Sequence, residues 1–229
     1  MHLWVVTLSI IARCVRTGQF GIAAMTAVPA VGKLLDHAAA RVGAVATQAR
    51  VNPYLGIDGI TLLRQRRCAE DVLAILRRSD PRIESRQLAV IDAAGRTAAF
   101  TGQECLPWAG ALSGENFSVQ GNRLTGRDVL VAAAQALAER EHEPLADRLL
   151  EALFAADALG GDRHEEESAT ICVVDEEDYP LWDIRVDQND DPLRELRRVH
   201  GVFRERLLPE ILRMPTRKNP AGDPEEHDA

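Results

Sequence analysis

The sequence predicts an α+β fold: a four-layer αββα sandwich of two antiparallel sheets between helix layers. Three observations carry that reading. Strand-like segments come in pairs joined by short turn signals, and helical segments also come in pairs. Strict strand–helix alternation, the mark of a doubly wound parallel sheet, is absent. The 229 residues, 46% of them hydrophobic, supply enough apolar material for one core of generous size. No internal repeat or interdomain linker interrupts the chain. A single domain is therefore expected over residues 7–213, with 1–6 an N-terminal extension and 214–229 a disordered tail poor in apolar residues.

In chain order, TLSIIAR (7–13) is rich in β-branched and apolar residues and reads as a strand. Thr17-Gly18 is a turn signal, and FGIAAMTAV (20–28) returns as the second strand of a hairpin. RVGAVATQA (41–49) is a short run whose Ala and Gly suggest a strand packed closely against its neighbours. From Ile57 the period changes. Leu62, Leu63, Val72, Leu73, Ile75 and Leu76 fall on helical faces, giving two helices broken near Arg67. Segments 86–92 and 96–101, turning at Ala94-Gly95, form a second hairpin, and a further strand is expected around 117–121. Residues 125–143 read as a helix with Thr125 as N-cap; a second helix begins near Pro144 and stops at Gly160-Gly161. SATICVVDE (168–176) and LWDIRVD (181–187) are strands, and Asp191-Pro192 opens a last amphipathic helix.

Charge narrows the partners. The net charge is −8 and no Lys/Arg block stands out, which disfavours nucleic acid and an anionic membrane surface. A small-molecule substrate or ligand remains compatible. The cysteines Cys14, Cys68, Cys105 and Cys172 are far apart and form no C-x-x-C, so reduced thiols in the cytoplasm are expected rather than a disulfide framework or zinc site. The opening apolar run, Leu3 to Ala12, has no basic n-region and no small-residue cleavage site, and is too short to span a bilayer.

Familiar catalytic signatures are missing: there is no G-x-S-x-G, Walker loop, G-x-G-x-x-G or H-E-x-x-H. The six histidines are dispersed. The densest metal-like cluster, residues 162–167, reads better as a solvated loop than as a site for a hard cation, so no metal and no cofactor are expected. Four polar islands stand out in apolar or Gly-rich surroundings. They are Thr47-Gln48 with Asn52, Thr101-Gly102, Gln120-Gly121-Asn122, and Gly160-Gly161-Asp162. One carboxamide at a strand end is usually structural; several together are what a polar pocket is built from.

These segments resemble the DUF1028 family, an uncharacterised group placed in the Ntn-hydrolase (N-terminal nucleophile) superfamily. The resemblance runs through TLSIIAR…TGQFGIAA, VGAVATQARVNPYLGIDG, RQLAVIDAAGRTAAFTGQECLPWAG, QGNRLTG and LWDIRVDQNDDPLREL, in order. It implies the αββα sandwich and a nucleophile. Family members begin Met-Thr-Phe-Ser, so loss of the initiator Met leaves an N-terminal Thr, and the matching residue is Thr7. A Thr hydroxyl needs an adjacent base, and a free α-amine with an ordinary pKa of about 7.7–8 suits that task. A peptide nitrogen does not, because its lone pair is delocalised.

By analogy with the superfamily, oxyanion or substrate-binding roles go to Thr47, Gln48, Asn52, Gln120 and Asn122, with backbone N–H groups of an Ala46–Gln48 turn. The chain departs from the family pattern in three ways. MHLWVV precedes Thr7, Cys14 and Thr26 stand where Asp and Ser are common, and the acidic run 165–167 is peculiar to it. Two functions follow. The first is an amidohydrolase acting on a small polar amide, with Thr7 as nucleophile and residues 1–6 either cleaved or a misassigned start. The second is a small-molecule-binding protein in which a blocked Thr7 is inert. In either case a homo-oligomer is expected.

Overall fold

The computed structural model describes residues 7–160 and 166–223. Ten strands form two antiparallel sheets, and seven helices accompany them among the described residues. The first hairpin is β1 (Thr7–Arg13) with β2 (Phe20–Thr26), in register from Thr7 opposite Thr26 to Arg13 opposite Phe20. A short helix, α1 (Gly32–Leu35), leads to β3 (Asp36–Ala39), which pairs with β4 (Gly43–Ala49). Helices α2 (Pro53–Arg64) and α3 (Ala69–Ser79) follow, divided near Arg67 as the periodicity predicts. Asn52 caps α2, its side chain accepting from the Tyr54 N–H, with Pro53 in the first turn.

The second hairpin is β5 (Arg86–Asp92) with β6 (Thr97–Thr101). A third, β7 (Gly110–Gly114) with β8 (Phe117–Asn122), exceeds the single strand expected there. Helices α4 (Asp128–Glu139) and α5 (Leu145–Asp157) come next, then β9 (Ser168–Val174) and β10 (Trp182–Val186). Helix α6 (Pro192–Arg206) is capped by Asp191, and a single turn, α7 (Leu208–Ile211), ends the helical part. Thr125 does not cap α4. That helix begins three residues later, and the Thr125 hydroxyl donates instead to the Leu159 carbonyl.

The larger sheet runs β10-β9-β2-β1-β8-β7 and the smaller β3-β4-β5-β6, so β1 is an interior strand. Side-chain alternation then assigns the cores. Leu8 and Ile10 on β1, Ala23 and Met25 on β2 and Ile171 on β9 pack against α4, α5 and α6. Val45 on β4 and Leu88 and Val90 on β5 pack against α2 and α3. The opposite faces of the two sheets share a third core, with Ile11, Phe20, Ile22 and Ala24 meeting Ala44, Ala46, Ala89 and Ile91. Full burial of each large aliphatic contributes roughly 1.5–3 kcal/mol.

Residues 214–223 of the segment read as a tail make turns against the 175–181 loop. The Tyr179 hydroxyl donates to the Pro215 carbonyl at 3.1 Å, and Arg217 binds Asp178. Residues 1–6, 161–165 and 224–229 lie outside the described residues, and with them the N-terminal extension and most of the acidic 162–167 loop. No described helix is long and apolar enough to cross a membrane.

Candidate active site

The space between the sheets is apolar at one end and polar at the other. The alternation that aims Ile11 at the facing sheet aims Thr7 and Ser9 there too. Register does the rest. Ser168, Thr26, Thr7 and Asn122 lie in one row across β9, β2, β1 and β8. Behind them stand Ser9 and its neighbour Gln120, and from the smaller sheet Gln48 on β4 and Gln87 on β5, themselves register partners. Thr7, Ser9, Thr26, Gln48, Gln87, Gln120 and Asn122 are all buried.

A directed chain of hydrogen bonds links them. Ser118 Oγ donates to Gln120 Oε1 at 3.0 Å, Gln120 Nε2 to Ser9 Oγ at 2.6 Å, and Ser9 Oγ to Gln48 Oε1 at 2.5 Å. Gln48 Nε2 faces Gln87 Oε1 at 2.8 Å, the Gln120 carbonyl at 3.3 Å and the Thr7 carbonyl at 3.4 Å. Asn122 Nδ2 also donates to Gln87 Oε1, at 3.1 Å. Gln87 Nε2 ends on Thr101 Oγ1 and the Gly110 and Gly121 carbonyls at 2.9–3.1 Å. A buried polar group left unmade costs roughly 1–3 kcal/mol, so this closure is what makes the cluster tolerable between the sheets.

Of the residues proposed from sequence, Thr7, Gln48, Gln120 and Asn122 are brought together. Thr47 and Asn52 are not. Thr47 is one residue from Gln48 and therefore on the other face of β4, where its hydroxyl donates to the Asn52 carbonyl at 3.3 Å. Asn52, besides capping α2, donates to Asp80 Oδ2 at 2.8 Å, in a buried cluster with Arg86. Ala46–Gln48 is continuous strand rather than a turn. Ser9 and Gln87 escaped the sequence reading. Their signal is a polar residue at an inward position of an otherwise apolar strand, in TLSIIAR and RQLAVID.

Thr7 Oγ1 lies 3.2 Å from Thr26 Oγ1, and both residues border a cavity of about 360 Å³. The remaining described lining includes Val28, Val31, Leu34, Leu35 and Val51. The expectation of a carboxamide-lined pocket is thus corrected. The carboxamides point at one another behind Thr7, and the open space beside it is walled by aliphatic side chains. Among the described residues, no group of three His, Cys, Asp or Glu side chains is arranged to hold a metal.

A protein of two antiparallel sheets, with a glutamine-rich polar cluster between them and a cavity beside Thr7, is thus defined. The chain belongs to a family of unknown function, DUF1028, whose model matches residues 7–196. It is similar to a DUF1028 protein from Silicibacter pomeroyi known as a crystal structure. The TM-score is 0.87 at 27% identity, over 95% of this chain and 99% of that one. Comparison with curated proteins gives no match.

Proposed function

We propose that the protein is a hydrolase of the N-terminal-nucleophile type, opening a small amide or related carbonyl bond with Thr7 as nucleophile. The observation that carries this is the position of Thr7: on an interior strand, facing the other sheet, hydroxyl beside Thr26, at the edge of a cavity. The three cores, with helices outside each sheet and apolar side chains between the sheets, support the four-layer αββα arrangement such enzymes share.

The chemistry requires the Val6–Thr7 bond to be broken first. The freed α-amine then takes the hydroxyl proton as Thr7 Oγ1 attacks the carbonyl carbon. The C–N bond breaks, the amine leaves with that proton, and the acyl group remains as an ester on Thr7. Water, deprotonated by the same amine, attacks the ester; the acyl C–Oγ1 bond breaks, the acid leaves, and the amine returns the proton to Thr7 Oγ1. Asn122 is opposite Thr7 in the sheet and spends one of its two amide N–H groups on Gln87, so its second N–H is the proposed donor to the oxyanion. The unbridged cysteines fit a reducing cytoplasm.

A second reading, a non-catalytic small-molecule-binding protein, draws on one observation. Gln48 already directs its amide N–H groups at the Gln87 side chain and the Gln120 carbonyl, which leaves it none to turn toward an oxyanion. Amide hydrolysis by the protein from its own host, set against Thr7→Ala, separates the two. The hydrolase reading expects turnover that Thr7→Ala abolishes; turnover unchanged in Thr7→Ala contradicts it.

A further inference from the structure

The cavity beside Thr7 is unusual in what its walls withhold. The loop from residue 27 to 31 supplies much of it, and several of the loop's backbone polar groups are engaged elsewhere. The Val28 carbonyl accepts from Ser168 Oγ at 2.6 Å, and the Val31 N–H donates back to the same oxygen at 3.1 Å. The Ala30 N–H donates to the Asp187 carbonyl, the Ala30 carbonyl accepts from Lys33, and Pro29 has no N–H to give. Among the described residues, the side chains lining the cavity are those of the 28–31 loop, Leu34, Leu35 and Val51, with Thr7 and Thr26 at one end. No charged residue belongs to the described lining. A charged or strongly hydrogen-bonding substituent seated there would lose its water without replacement. An alkyl chain would lose nothing and release water from aliphatic walls.

We propose that the cavity holds an aliphatic acyl chain, with its carbonyl at Thr7 and its tail toward Leu34, making the substrate an N-acyl amide of medium chain length. This rests on the reading of Thr7 as the attacking group. A cavity of about 150 Å³ takes a six-carbon ring, so about 360 Å³ with an open mouth corresponds to roughly six to ten carbons. Leu34 is 46% exposed despite lining the cavity, which leaves a large apolar side chain at its rim for the chain end to cover. The amine half of the substrate lies outside the cavity, and its chemistry is not selected by these walls.

The test reads binding apart from turnover. Primary alcohols from 1-butanol to 1-decanol, which have no bond to cleave, are titrated into the full-length protein by calorimetry. Affinity should rise about three- to fourfold per methylene and level off between six and ten carbons. Leu34→Trp, at a rim position that tolerates bulk, should move the break to shorter chains, and Val51→Phe should do the same from a second wall. Affinity independent of chain length, or a break unmoved by both variants, overturns the proposal. Amide turnover indifferent to acyl length would overturn it while leaving the hydrolase intact. A chain-length-dependent affinity in a protein that turns over no amide would uphold the cavity's preference and overturn the hydrolase.

Discussion

Ser9 Oγ donates to Gln48 Oε1 at 2.5 Å, tying an interior strand of the larger sheet to an inner strand of the smaller one. Gln48 also donates onward to Gln87, so one carboxamide holds both the sheet contact and the continuity of the polar cluster. Gln48→Ala should therefore leave Ser9 without its acceptor and open a cavity between the sheets. The expected loss is about 2–4 kcal/mol, read by urea denaturation. A loss below about 1 kcal/mol would mean that the network is not what holds the sheets at this end.

Asp80 anchors the far side of α2. Its carboxylate accepts from Asn52 Nδ2, the Arg82 N–H and Arg86 Nε, the last two at 2.8 and 2.9 Å. Burial alone would raise its pKa, but these donors outweigh it and hold the carboxyl below the ordinary value. Asp80→Ala leaves a buried guanidinium unpaired and should cost about 3–5 kcal/mol near neutrality. A depressed pKa stabilises the fold above the unfolded value of about 3.9 and loses that contribution as the pH falls through the folded one. The wild-type denaturation midpoint should thus fall in acid more steeply than that of Asp80→Ala.

Asp36 behaves in the opposite sense. Burial, with repulsion from Asp183, raises its carboxyl to about 8, against the hydrogen bond from Thr170 and the charge of Arg185. Oδ2 accepts from Thr170 Oγ1 at 2.9 Å, while the buried Oδ1 has no hydrogen-bond partner. The folded state therefore holds this proton more tightly than the unfolded state does. The contribution is fully present below about pH 4 and is lost as the pH rises through about 8. Asp36→Asn should flatten stability across that window, measured as the denaturation midpoint at each pH; an unchanged slope would contradict the assignment.

How much of this was legible depended on what each residue had to do. Apolar strands such as TLSIIAR and RQLAVID announce themselves by composition. Asp36–Ala39 and Gly110–Gly114 do not, because Ala- and Gly-rich segments are strands only through their neighbours' hydrogen bonds. Gln48, Gln120 and Asn122 stood out as polar islands, but their facing one another, rather than a pocket, follows from a register between sheets that no local pattern encodes. Thr47 was carried along by adjacency to Gln48 and lost by alternation. Asn52-Pro53 had the signature of a helix start, and that is the role it plays. Thr125 had a similar signature and bonds Leu159 instead, since a cap's partner is chosen by the tertiary fold.

The central claim is that Thr7 becomes an N-terminal residue, and intact mass with N-terminal sequencing of protein made in its own host tests it most directly. The account predicts a mature chain beginning at Thr7, with Thr7→Ala either unprocessed or processed and inactive. A fully folded protein from that host that still carries Val6 joined to Thr7 would contradict it.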